Sequence, residues 1–391
     1  MKVTFKREIL TSCVARSIGC ISTEKTYDII AGILISTVGP NACQISAYDT
    51  EKGIKTVIDA NVEEEGSVVI NGNKLLSMIR LLSDDIVIET NDQGIATISS
   101  GTVKYQVHYK PGDNFPNMPE FSPDRSFTIA QKDLKEMISK TVFAVGKDED
   151  KPVMTGLYFE VKDETVKVVG CDSYRLAVRS KKVETNVQTK GEDTLKFVVP
   201  GKTMVEIEKI IEDSDEKIKF ALTRRHVIFS FNLKYGNDLK ETILFSRIID
   251  ENYIDYNRFY SLNYKTTVYV QRSLLEDSLT KAALIAEDKI QGQTKGNVRF
   301  DIKGDCMYIT AQSVNGKISD EISISKNGDD MTIGFSCKYL LEILRATDVD
   351  NLKLSLLSPL INMKIENGDD DKEEDSFLYL ALPVKMRDSR E

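Results

Sequence analysis

Hydrophobic and polar positions recur in a fixed order along the chain. Three segments open alike: Val3-Thr-Phe5, Phe127-Thr-Ile129 and Val268-Tyr-Val270, each alternating like a short half-buried strand. Five residues beyond each triplet stands Leu10, Leu134 or Leu275, followed four later by Val14, Ile138 or Leu279. That spacing is one apolar stripe of an amphipathic helix. The grammar repeats between these openings. Val68-Val-Ile70 leads to Leu75 and Ile79, and Phe197-Val-Val199 to Met204 and Ile207. Met331-Thr-Ile333 leads, two residues late, to Leu340 and Leu344.

The strands that follow also match. Gly32-Ile-Leu-Ile, Gly156-Leu-Tyr-Phe and Gly296-Asn-Val-Arg-Phe each begin a strand after glycine. Next come Cys43–Asp49, Val166–Asp172 and Met307–Ser313, where a small residue (Ala47, Gly170, Ala311) stands two before a short polar one. Alternation continues at Ile86–Glu89, Lys217–Ala221 and Lys353–Leu357. Each half-unit therefore reads as strand, helix, then several antiparallel strands, an α+β design with one helix on each sheet. Six half-units pair into three tandem similar domains, 1–124, 125–262 and 263–391, with boundaries after the loop-like stretches Pro111–Pro123 and Asn252–Asn263.

Free sheet edges invite aggregation, and joining like domains end to end removes them. If a second chain continues the rotation, six domains and twelve helices close a ring, with helices lining the inside and antiparallel sheets outside. Charge points the same way. Helix windows 6–17, 71–82, 131–147, 200–212, 271–285 and 336–346 carry a summed charge of +6, against −9 for the whole chain. Asn73, Lys74, Ser77 and Arg80 form a polar stripe beside Leu75, Leu76 and Ile79; Lys338, Glu342 and Arg345 do so beside Leu340, Leu341 and Leu344. A solvated helix face also carries lysines, and for one helix alone that is the simpler reading. Basic helices meeting phosphates would attract DNA without reading bases, which permits sliding.

Composition narrows the classes. An acidic chain with 52 Lys plus Arg against 61 Asp plus Glu does not coat nucleic acid with its whole surface. Six cysteines without a CxxC pair fit a reduced, cytoplasmic protein, and MKVTFKREIL lacks the apolar run of a secretory signal. The apolar stretch around Ile29–Val38 is too short to cross a membrane. Two histidines give metal or acid–base chemistry little material, and no cofactor is expected. Pro200-Gly201-Lys202-Thr203 lacks the first glycine of a phosphate loop, and no GxGxxG after a strand, HExxH or GxSxG occurs. Asp148-Glu-Asp150 has no apolar flanks to raise a carboxylate pKa, so the chain is not expected to be an enzyme. The acidic run 368–375 departs from the EF-hand pattern and reads as a solvated loop; the tail 387–391 reads as mobile.

Gly170-Cys-Asp-Ser-Tyr-Arg-Leu-Ala177, the terminal Leu378-Tyr-Leu-Ala-Leu-Pro-Val-Lys385 and the threefold repeat resemble the bacterial DNA sliding clamp, the beta subunit of DNA polymerase III. The resemblance covers essentially the whole chain. It implies a non-catalytic homodimeric ring that encircles duplex DNA without sequence preference and confers processivity. Implied partners are the polymerase III alpha subunit, a clamp loader, and repair and other replication proteins with short clamp-binding motifs. It implies a peptide pocket walled by Met154, Cys171, Ser173, Tyr174, Arg175, Leu176, Ile254, Phe259, Leu360, Asn362, Leu380, Leu382, Pro383, Val384 and Lys385. Tyr174, Arg175 and Asn362 would hydrogen-bond the peptide over an apolar floor. Core packing is the competing reading of Leu176, Leu380 and Leu382, and a structural ion pair that of Arg175. Cys171 stands where the family often has Thr, Ile254 where Pro is common, and Lys25–Ile29 lacks the usual prolines. Lys25, Lys74, Arg80, Lys202, Lys338 and Arg345 would face DNA. At the dimer seam Lys104 and Tyr105 would meet Leu284 and Ile285, a pair equally compatible with burial in its own domain. The alternative is a ring-shaped interaction scaffold that does not encircle DNA.

Overall fold

The computed structural model describes the chain except residues 25–27, 148–149, 186, 188–193, 287–288, 291–292, 295, 315, 370–374 and 386–391. Two compact units are present. One comprises Met1–Lys135, Val183–Leu195 and Lys202–Ile249; the other comprises Glu136–Lys182, Lys196–Gly201 and Asp250–Glu391.

All six strand-helix openings form. The helices are α1 (Arg7–Ser17), α2 (Gly72–Arg80), α3 (Gln131–Ser139), α4 (Gly201–Ile210), α5 (Arg272–Ala286) and α6 (Cys337–Arg345). They follow strands Lys2–Phe5, Ser67–Asn71, Arg125–Ala130, Leu195–Pro200, Thr266–Gln271 and Met331–Ser336. Every helix residue of the apolar stripes, from Leu10 and Val14 to Leu340 and Leu344, is buried. The intervening polar positions of α2, Asn73, Lys74, Ser77 and Arg80, are exposed. Asn71 starts α2 by accepting the Lys74 N–H at 3.0 Å, satisfying a donor that the first turn leaves open.

Two sequence expectations need correction. The two-residue lag before Leu340 comes from taking the triplet at the start of the strand Met331–Ser336. Ile333 opposes Phe300 and Phe335 opposes Val298, both buried, so Ile333-Gly-Phe335 is the true triplet and Leu340 follows at the regular distance. The third helix was expected over 131–147 but ends at Ser139. There the Thr141 hydroxyl donates back to the Met137 carbonyl at 2.6 Å, and a 3-10 turn follows at Val142–Ala144. Side-chain bonding of this kind competes with helix continuation.

The sheets carry the main architectural fact. In the first unit a nine-stranded sheet runs Lys110–Pro111, Ser67–Asn71, Gly32–Thr37, Ala42–Tyr48, Lys52–Asp59, Asp238–Arg247, His226–Tyr235, Lys217–Leu222, Arg125–Ala130. Its middle seam pairs Lys52–Asp59 with Asp238–Arg247, antiparallel, with Leu244 opposite Ile54. At this seam the buried hydroxyls of Thr56 and Thr242 lie 2.9 Å apart. The second unit repeats the arrangement: Leu195–Pro200, Gly156–Lys162, Thr165–Cys171, Arg175–Lys182, Asp375–Ala381, Met363–Asn367, Asn351–Leu356, Thr266–Gln271, Ser325–Asn327. Here Arg175–Lys182 pairs with Asp375–Ala381, and Tyr379 opposes Ala177. Both seams join strands that the repeat assigns to successive domains. A five-stranded sheet of the first unit ends in Val103–His108, and a four-stranded sheet of the second ends in Gly316–Ser323.

Leu340 is held in the core of the second unit, whereas Lys338, two residues earlier on α6, is exposed. Leu340→Ala is expected to lower unfolding free energy by about 2–5 kcal/mol. Lys338→Ala should change it by less than about 0.5 kcal/mol. Urea unfolding of the two variants measures the difference.

Candidate partner-binding groove and basic helix positions

The groove residues named from sequence all belong to the second unit. They gather around the seam between Arg175–Lys182 and Asp375–Ala381, where Leu176 opposes Leu380. The approach is a tight turn. Asp172 Oδ1 accepts the N–H groups of Tyr174 at 2.7 Å and Arg175 at 2.8 Å. The turn faces Tyr174 outward, and the Leu382 N–H donates to the Tyr174 carbonyl at 2.9 Å. Val384 is fixed by its N–H to the Gly334 carbonyl. On the other side, Asn362 Nδ2 donates to the Phe259 carbonyl at 3.0 Å while its Oδ1 accepts from the Tyr264 hydroxyl at 3.3 Å. The linker is pinned further back, where Tyr253 stacks on Tyr158 at 4.8 Å and donates to the Val169 carbonyl.

Leu176, Leu380 and Cys171 are buried and form the floor. Burial pushes the Cys171 thiol up to about 12, so it is a small apolar wall and no nucleophile. Above this floor Tyr174, Phe259, Leu360 and Leu382 are 57%, 39%, 73% and 45% exposed. Such a concentration of exposed large apolar groups marks an interaction surface. Ser173 and Lys385 are exposed at the rim, and Met154, Ile254 and Pro383 are half-buried. Direct contacts join the Tyr174, Leu176, Leu380 and Leu382 group, and separately Asn362 with Phe259. The strand beginning at Met363, opposite Ala381, brings the two groups onto one sheet.

Arg175 differs from its expected role. Its guanidinium is buried and each nitrogen donates internally: Nε to Asp172 at 3.2 Å, Nη1 to Glu342 of α6, and Nη2 to the Phe143 carbonyl at 2.5 Å. The ring of Tyr339 stacks beneath it at 4.4 Å and that of Phe143 at 5.2 Å. The structural ion pair is thus the correct reading of the guanidinium. Glu342 is correspondingly a half-buried partner of Arg175. Sequence reasoning missed Phe143, Tyr339 and Glu342, since nothing in the local pattern links them to residue 175. Asp172 was in plain view inside the matching run.

The basic positions sort by partner. Lys140 pairs with Asp348, Lys209 with Glu206, Lys281 with Asp320, and Arg272 with Glu276. Lys74, Arg80, Lys202, Lys338 and Arg345 are exposed. Among the described residues, none of these five has a carboxylate within ion-pair distance. Lys25, Asp148 and Glu149, residues 370–374 of the acidic run and the tail 387–391 lie outside the described residues. Among the described residues no cluster of His, Cys, Asp or Glu could hold a metal ion, no disulfide joins any of the six cysteines, and no helix is long and apolar enough to cross a membrane.

These features define a repeated α+β protein whose sheets run across its domain seams and which displays a cluster of exposed apolar side chains beside the second seam. Residues 1–119, 128–255 and 261–384 match, in order, the N-terminal, central and C-terminal domains of the DNA polymerase III beta subunit. The chain belongs to that family: it is a DNA sliding clamp, a processivity component without catalytic activity of its own. It is 27% identical to the Beta sliding clamp of Staphylococcus epidermidis and 26% to that of Staphylococcus aureus, each over 98% of this chain and 99% of the relative. The DNA polymerase sliding clamp of Bacillus subtilis superposes with a TM-score of 0.87 at 25% identity, over 99% of this chain and 100% of that one.

Removing the Arg175 side chain strands two carboxylates, of which Glu342 keeps partial solvent contact. Arg175→Ala should therefore cost up to about 3 kcal/mol in urea unfolding. Arg175→Ala with unchanged stability would contradict the internal role.

Proposed function

We propose that two copies of the chain close a six-domain ring around duplex DNA and present the groove at residues 171–176, 254–259, 360–362 and 380–385 to short peptides of replication partners. The polymerase alpha subunit, the clamp loader and repair proteins are the intended partners, in the cytoplasm. Domain boundaries near 125 and 263 are part of this reading, since each falls in the linker that follows a completed set of repeat strands.

The observation that carries it is that two of the sheet-edge strands occupy the repeat positions that are paired in the internal seams. In both internal seams, the strand after a small-residue position pairs with the last strand of the next domain. Ala47 faces Ile54 and Gly170 faces Ala177 on one side; Phe229 faces Leu244 and Ile365 faces Tyr379 on the other. The same two positions recur in Ala311 opposite Ile318 and in Ile98 opposite Tyr105, on Gly316–Ser323 and Val103–His108. Neither of these edge strands has an outer neighbour among the described residues. Joined between two copies, the four-stranded and five-stranded sheets would make a third sheet of nine, with Tyr105 opposite Ile318, Lys104 opposite Ser319 and Val103 opposite Asp320.

Side-chain packing supports the same seam. Phe143 follows Leu134 as Leu284 follows Leu275. Phe143 packs on Tyr379 at 5.9 Å, and its counterpart Leu284 is 83% exposed at the end of α5, with Ile285 half-buried beside it. A partner's Tyr105 would cover Leu284. The five unpartnered helix cations support DNA inside the ring, which an interaction scaffold would not require.

In solution the chain should run at about twice its mass. Leu284→Glu should shift it to monomer, because the seam would bury an unpaired carboxylate. Lys104→Cys with Ser319→Cys should form an intermolecular disulfide under mild oxidation, and Lys104→Cys with Ser323→Cys should not. A monomeric wild type, or equal cross-linking of both pairs, rejects the seam.

Once loaded by its cognate loader, the clamp should stay on closed circular DNA and leave linear DNA. Equal loss from both rejects encirclement. Replacing Lys74, Arg80, Lys202, Lys338 and Arg345 by Ala should flatten the slope of log affinity against log salt by about 0.9 for each phosphate no longer neutralised.

A further inference from the structure

The seam of the first unit repeats the turn that builds the groove. Asp49 Oδ1 accepts the N–H groups of Glu51 at 2.9 Å and Lys52 at 2.8 Å, as Asp172 does for Tyr174 and Arg175. Gly53 then opposes Phe245, as Leu176 opposes Leu380. The register makes Tyr48, Phe245 and His226 the counterparts of Cys171, Leu380 and Asn362. Gly53 has a steric reason: a Cβ there would meet the Phe245 ring at 2.5 Å. The large side chain has moved from one strand to the other, and the floor remains apolar.

This counterpart is filled by the chain itself. The Phe121 ring lies 5.0 Å from Phe245 and 5.2 Å from His226, and Phe245 in turn lies 5.5 Å from Tyr48. Met118 packs into the same cluster with Ile228 and Ile243. Among the described residues, no backbone N–H from 116 to 123 bonds to the sheet; the flanking bonds are Phe115 to Gly112 and Asp124 to Leu222. A cavity of about 740 Å³ lies between this segment and the sheet, bordered by Leu34, Gln44 and Lys55. The segment is thus held by two anchoring side chains, three residues apart, as a docked peptide is.

We propose that linker residues 116–121 are a built-in ligand: they plug a second groove that corresponds to the open one, and the free segment fits the open groove as well. The inference rests on the peptide-groove reading above and adds a latent docking site on the first unit. One open groove per chain then results from Phe121 covering its counterpart.

A synthetic peptide of residues 114–123, titrated calorimetrically into the full-length protein, tests this. Wild type should bind one peptide per chain, with affinity at least tenfold weaker in Leu360→Glu, Leu382→Glu. Phe121→Ala should bind two per chain, the second lost again on adding Tyr48→Ala. Limited proteolysis should cut Phe121→Ala within 116–123 while the rest of the chain stays intact, which separates an unplugged linker from a misfolded protein. Failure of the 114–123 peptide to bind either protein, while a polymerase-tail peptide binds wild type, overturns the built-in ligand and leaves the open groove standing. If neither peptide binds, both ideas fall. Phe121→Ala that binds one peptide per chain overturns the second groove.

Discussion

A strand at the edge of a sheet exposes a row of unpaired N–H and C=O groups, and the architecture of this clamp is organised by how those rows are matched. Twice the match is made inside the chain, between a strand of one domain and the last strand of the next. Antiparallel pairing fixes position and direction together, because a one-residue slip would turn each buried side chain to solvent. The ladder therefore sets where Ile54 meets Leu244 and where Ala177 meets Tyr379. Helix placement, groove position and linker path all follow from that register.

The two seams share a backbone and differ in what fills them. In the first, small residues and rings do the filling: Gly53 makes room for Phe245, Phe121 closes over it, and two threonine hydroxyls meet behind. In the second, charge does it. Arg175 holds Asp172 and Glu342, and Glu136 draws in Arg179 and Lys181. Burial would raise the Glu136 carboxyl, but the two cations outweigh it and hold it below its ordinary range. A buried charge is tolerable only with partners, so Arg175 turns a donor from each of its three nitrogens inward. Around it the exposed surface is mostly apolar, from Tyr174, Phe259, Leu360 and Leu382, with Ser173 and Lys385 at the rim.

The half-unit pattern was legible because helices and strands are short-range objects. Leu10 with Val14, or Leu75 with Ile79, announce a face whatever lies across from it. At Met331 the strand itself was correctly found, and only the triplet within it that sets the distance to Leu340 lay two residues further on. The end of α3 was not legible, since Thr141 stops the helix with one hydroxyl that composition windows do not weigh. The groove was legible only as a set of residues carried by resemblance; their number said nothing of which are occupied. That Arg175 reaches Glu342, 167 positions away, depends on folding and has no local signature. The same holds for Phe121, which reads in sequence as one more residue of a polar, proline-bearing linker.

Charge counting along helices calls for the same distinction between content and availability. The windows sum to a positive value, yet Lys140, Lys209 and Lys281 are each neutralised by a carboxylate beside them. The relevant cations among the described residues are those left without one, and they are fewer. Each offers a phosphate only about 1 kcal/mol at contact distance in water. Interactions that weak exchange readily from one phosphate to the next, so they cannot hold a position along the duplex. Residence would then have to come from closure, which returns the burden to the edge strands: retention is a property of paired backbones, and movement a property of unpaired lysines.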